Sequence, residues 1–129
     1  MANKIIQVNG SGDSLYPQNS TYTSSETIQD DGMPPITASR VGNVVMIAML
    51  GTVGITCAKG TWQTICTLPE KYRPTVNVPV QIFYGIADSE ANIDFNVTTA
   101  GLVRIRPRIK ALDNSTFNCY VCYPTLKDI

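Results

Sequence analysis

The sequence predicts an all-β protein, an antiparallel β-sandwich of jelly-roll-like type, and three observations predict it. The informative apolar stretches alternate with period two, as a strand with one face on a core requires. No stretch of helical period is long enough to matter. Turn signals recur roughly every 8–12 residues between the runs, the spacing of a sandwich or barrel with about eight strands.

Taken in order, Asn3–Val8 is a short strand-like run, cut off by Asn-Gly-Ser-Gly-Asp-Ser. Residues 11–39 are rich in Ser, Thr, Asp, Asn, Gln and Pro, which predicts an extended polar arm with no face of its own to bury. The reading therefore divides the chain into 1–40, a strand and attachment arm, and 41–129, the sandwich. Val44–Leu50 is apolar at consecutive positions, so it should be covered on both sides, the second cover being a neighbouring subunit. Thr52–Cys57 follows as a short strand. In Trp62–Leu68 strict alternation puts Trp62, Thr64, Cys66 and Leu68 on one face. Pro69 and Pro74 then bracket an ordered loop, since each fixes φ and removes a donor.

Val78–Ala87 is the next strand, and Asp88-Ser89-Glu90 a polar corner. Ala91–Thr98 and Leu102–Lys110 form a hairpin whose three-residue loop needs the positive φ of Gly101. That loop sets the register: Val97 opposite Val103, Asn96 opposite Arg104, Phe95 opposite Ile105 and Asp94 opposite Arg106, with Asn92 and Glu90 facing Arg108 and Lys110. Pro107 predicts an edge or a bulge. Leu112–Ser115 reads as a turn, and Thr116–Tyr123 as a last strand also covered on both faces.

A chain of 129 residues with 43% apolar content fits one core and carries no apolar run near the ~20 residues of a membrane span. Ten basic and ten acidic residues cancel, which leaves no global field for nucleic acid or an anionic membrane. MANKIIQVNG lacks the apolar core and cleavage site of an export signal, so Cys57, Cys66, Cys119 and Cys122 should be reduced, buried fillers. Cys119 and Cys122 fall on opposite faces of a strand and cannot share a zinc ion. The chain has no His, the commonest general base and zinc ligand, and no Gly-Xaa-Ser-Xaa-Gly elbow. Gly51-Thr-Val-Gly54 lacks the Lys of a phosphate loop. Asp88, Glu90 and Asp94 keep carboxylate-pair glycoside hydrolysis formally open, but the expectation is a protein that is not an enzyme and needs no cofactor or metal.

Two stretches, RVGNVVMIAML and GTWQTICTLPEKYRP, together with the Thr98–Val103 hairpin and the final aromatic strand, carry a family likeness. From about Ser39 to Tyr123 the chain resembles the C-terminal receptor-binding head of tail-fibre and baseplate proteins of phages that infect Gram-positive bacteria. Asp13-Ser14-Leu15-Tyr16-Pro17 is similar to a short tail-protein phrase. One departure is Lys71, where that family usually has Gly. The resemblance implies a homotrimer on the virion, made in the bacterial host cytoplasm. It also implies attachment to tail or baseplate proteins through the N-terminal arm and adhesion to a bacterial cell-surface saccharide. A structural fibre component without receptor binding is the alternative, and a glycan hydrolase the more distant one.

Saccharide contacts would draw on Trp62, Tyr72, Asp88, Glu90, Asn92, Arg104 and Arg108. Aromatic faces stack on the apolar patches of sugar rings, though a lone Trp also suits a core. Tyr72, between the prolines, can be exposed or can pack the loop onto the sandwich. Asp88, Glu90 and Asn92 would meet hydroxyls, or simply form a solvated corner. The stripe Arg104, Arg106, Arg108, Lys110 reads either as an anion-binding row or as a surface of cross-strand ion pairs.

Overall fold

A computed structural model describes residues 22–84 and 92–129. Among them the chain forms ten strands: β1 (Thr23–Ile28), β2 (Ile36–Val41), β3 (Val44–Met49), β4 (Ile55–Cys57), β5 (Gln63–Thr67), β6 (Gln81–Tyr84), β7 (Asn92–Val97), β8 (Leu102–Pro107), β9 (Leu112–Ser115) and β10 (Cys119–Pro124). Two four-stranded antiparallel sheets pack together, the first in the order β1-β2-β3-β10 and the second β5-β8-β7-β6, with β4 and β9 as a separate ribbon. The core between them is one cluster. Ile36, Ala38, Val45, Ile47, Met49, Val121 and Tyr123 come from the first sheet, and Ile65, Cys66, Ile93, Phe95, Val97, Val103 and Ile105 from the second. Strands β2, β3, β8 and β10 contribute every other residue to it, and the all-β sandwich expected from period-two alternation is the fold observed.

The β7–β8 hairpin has the register read from the sequence, from Val97 opposite Val103 to Asp94 opposite Arg106. Gly101 has φ +89°, and a Cβ there would lie 2.7 Å from Arg73 Nε. Leu68 N–H donates to Gly101 O at 2.8 Å, so the hairpin loop is pinned to the proline loop. Pro107 is simply the last residue of β8, an interior strand, and faces Ile93.

Four expectations need correction. Residues 22–40 are not an arm: β1 and β2 lie there, so a boundary at residue 40 would cut β2. A strand with one wet face needs only alternate apolar residues, and Ser and Thr fill the other positions without penalty. Leu112–Ser115 is a paired strand rather than a turn. The alternation of Trp62–Leu68 breaks, because β5 shifts register between Thr64 and Cys66. Ile65 and Cys66 are consequently both buried, and the face that begins with Trp62 is not the face that ends with Leu68. Cys122 is exposed, whereas the other three cysteines are buried; all four are free thiols. The run Asn3–Val8 and the corner residues Asp88, Ser89 and Glu90 lie outside the described residues.

One end of the sandwich is closed by a fully buried arginine. Arg40 Nε–H donates to Gly42 O at 2.7 Å, Nη1–H to Lys71 O at 2.6 Å, and Nη2–H to Lys127 O at 2.8 Å and Asn43 Oδ1 at 3.3 Å. It thereby ties the β2–β3 turn, the proline loop and the C-terminal tail together. Burial pulls the guanidinium below its ordinary pKa, but four acceptors engage four of its five N–H donors. Lys71 adds an ion pair with Glu26 at 3.2 Å, and Tyr22 Oη lies 3.4 Å from the same amine.

Candidate functional site

The outward face of the second sheet is built on β8. Arg104 and Arg106 alternate with the buried Val103 and Ile105, and Arg108 continues the row past the end of the strand. Opposite them on β7 stand Asn96 and Asp94, and Arg108 N–H donates to the Asn92 carbonyl at 2.8 Å. On the other side, the β5 bulge turns Thr64 toward Arg104 and brings Trp62 over the same face.

Charge and ring are tightly arranged there. Arg106 Nε–H and Nη2–H both donate to Asp94 Oδ2, at 2.9 and 2.6 Å, and Arg108 Nε lies 3.4 Å from Oδ1. The Asp94 side chain is 2% exposed, against 35% for Arg106 and 45% for Arg108, so the carboxylate is a buried anchor for two half-exposed cations. Arg104 Nε–H donates to Asn96 Oδ1 at 3.2 Å. The Arg104 and Arg106 Cζ atoms lie 4.6 and 4.4 Å from the centre of the Trp62 ring. Stacked guanidiniums of this kind are worth ~0.5–2 kcal/mol each. Two guanidiniums share the Asp94 carboxylate and the third, Arg104, is held by a neutral amide, which leaves the described part of this face with positive charge in excess.

The face therefore offers a half-buried indole, planar cationic donors and amide groups held in fixed positions, a set able to stack on a ring and hydrogen-bond its substituents. Both readings of the arginine stripe meet here: Arg106 and Arg108 pair with Asp94, whereas Arg104 is held by a neutral amide. Asp94 has both oxygens engaged, which suits an ion-pair anchor better than a general base.

The structure brings together Trp62, Arg104 and Arg108, with Asn92 at the end of the same row. Tyr72 is elsewhere and is corrected: it is fully buried beneath the first sheet, its hydroxyl bonded to Ser24 Oγ and its carbonyl accepting from Tyr123 Oη at 2.5 Å. Packing the loop onto the sandwich is the role it fills. Asp94, Asn96 and Arg106 were not among the expected contacts, although the hairpin register already placed all three on this face.

The first sheet turns a different face outward. Alternation puts Thr23, Ser25 and Thr27 of β1, Thr37, Ser39 and Val41 of β2, Val44, Met46 and Ala48 of β3, and Tyr120, Cys122 and Pro124 of β10 on it. None of the twelve is charged. Within one chain the second faces of β3 and β10 are bare: Val44, Met46 and Tyr120 are 55%, 42% and 64% exposed. The double cover expected for these strands is not supplied by any described part of the same chain. No family model matches this chain, and no curated protein matches it.

Proposed function

We propose that the chain is the host-adhesion head of a phage tail fibre or baseplate, and that it recognises a bacterial cell-surface saccharide on the outward face of its second sheet. The observation that carries this reading is Trp62, turned out of the core by the β5 bulge and stacked against Arg104 and Arg106. A tryptophan serving only as core filler would instead be enclosed. The likeness of RVGNVVMIAML and GTWQTICTLPEKYRP to receptor-binding heads supports the same reading. In it, three copies associate through the uncharged face of the first sheet, and the segment around Asp13–Pro17 joins the head to the tail. Each site is weak alone, and three linked sites gain ~10²–10⁴-fold in avidity without any new contact.

The test is retention of the purified chain on Gram-positive cell walls and on an array of their saccharides, with Trp62→Ala and Arg104→Ala beside the unaltered protein. The reading expects retention of the unaltered chain and a loss of about tenfold or more for each variant. An unaltered chain that binds no wall saccharide would leave a structural tail component instead.

A further inference from the structure

We propose that the slot beside β10 receives an extended, uncharged segment of a partner polypeptide, which pairs with β10 as a fifth strand of the first sheet, an interaction independent of the saccharide reading. In an antiparallel ladder alternate residues turn both backbone groups to the same neighbour. Thr125 N–H donates to Asn43 O at 2.8 Å, so Tyr123, Val121 and Cys119 share that orientation toward β3. The N–H and C=O of Tyr120 and Cys122, and the C=O of Pro124, therefore point away from the sheet. Among the described residues, no backbone group pairs with them there.

Beside this edge runs a slot of about 300 Å³, between β10 and the stretch Val76–Gln81 that leads into β6. Val76, Val78, Val121 and Tyr123 contribute apolar surface to it. Neither wall carries a charge anywhere along Pro74–Tyr84 or Asn114–Leu126. Exposed strand edges are ordinarily blunted by charged side chains or bulges. β1 has Glu26 in its ion pair with Lys71, and β5 has its bulge. The β10 edge has only Pro124 at its far end, which lacks an N–H and so ends a ladder rather than blocking it.

The pattern of these groups selects the occupant. The outward pairs on Tyr120 and Cys122 repeat every two residues, about 7 Å, a spacing that another extended backbone reproduces. Its side chains opposite Tyr120 and Cys122 stand on the uncharged outer face, and those opposite Val121 and Tyr123 enter the slot. The two that enter must be uncharged and apolar, because an ion there would be buried without a counter-charge. A second copy would bring the Val76–Gln81 stretch flanking its own β10 against this one, whereas a single extended segment enters without a wall.

Amide hydrogen exchange on the full chain, with the capped peptide acetyl-Thr-Val-Thr-Val-Thr-Val-amide as probe, tests this. In the chain alone the Tyr120 and Cys122 amides should exchange at nearly free rates while the Ile47 and Ile105 amides are slow. Millimolar probe should slow the first two about tenfold or more and leave the others unchanged. The same peptide with Glu in place of each Val should have no effect, and Val76→Asp, at a position already 70% exposed, should weaken the response to the probe severalfold. Tyr120 and Cys122 amides indifferent to the probe, or slowed equally by the Glu peptide, would overturn the proposal. So would protection in the chain alone, which would give the edge to this same chain if it persists on dilution and to a second copy if it vanishes.

Discussion

The two outward faces of this sandwich are made by the same alternation and end up chemically opposite. The face of the second sheet carries Trp62, three arginines and a buried carboxylate, while the face of the first carries twelve uncharged residues with Val44, Met46 and Tyr120 bare. A cationic face resists close approach by its own copy and keeps its donors for a polar ligand. An uncharged face has nothing to repel a second copy and apolar area to gain by covering. Under the proposed function, that difference gives binding to one sheet and assembly to the other.

The strongest way to break that contrast is to charge the bare face. Met46→Lys stands in the middle of it, opposite Ser39 and Cys122. Three like charges brought to one contact should convert an associated chain to monomer in sedimentation or light scattering, with the fold retained because the side chain already faces water. An unaltered chain that is monomeric at micromolar concentration would remove the assembly half of the contrast.

On the other face, Asp94→Ala should cost ~1.5–3 kcal/mol in denaturant unfolding, since it strips the charge-assisted hydrogen bonds from the half-exposed Arg106 and Arg108. Arg106→Ala should cost at least as much, because it leaves the buried Asp94 carboxylate with Arg108 alone.

A smaller effect sharpens the comparison by chemistry alone. Only Cys122 lies on an outward face, so a thiol reagent should modify one of four cysteines in the native monomer and all four after unfolding. In an associated chain Cys122 should be slow and become fast in Met46→Lys. The buried thiols give the gentlest signal. Burial pushes Cys66 and Cys119 up to about 12 from 9.0. Between those values the unfolded chain releases its thiol protons first and binds fewer than the native one, so stability should be flat below about pH 9 and fall as pH rises toward 12. Replacing both with Ala should flatten the decline.

What the sequence made legible follows from how local each signal is. The β7–β8 register could be read because Gly101 fixes the turn and the charges pair across it. The outward position of Trp62 could not, since a bulge inserts one residue without leaving a mark on composition, and every alternation downstream is then counted from the wrong face. Strands β1 and β2 were hidden by their Ser and Thr content, which resembles a linker until a neighbouring sheet supplies the pairing. Arg40 was invisible for a related reason: nothing in its neighbourhood says that its acceptors will come from residues 71 and 127.

The division of labour between the faces is tested most directly by measuring, side by side, the affinity for a monovalent wall saccharide and the retention on whole cells for Trp62→Ala and Met46→Lys. Trp62→Ala should lose both. Met46→Lys should keep the monovalent affinity and lose retention by ~10²-fold or more, because only the linkage between copies is gone. A Met46→Lys chain with weakened monovalent affinity, or a Trp62→Ala chain that binds as well as the unaltered protein, would contradict it.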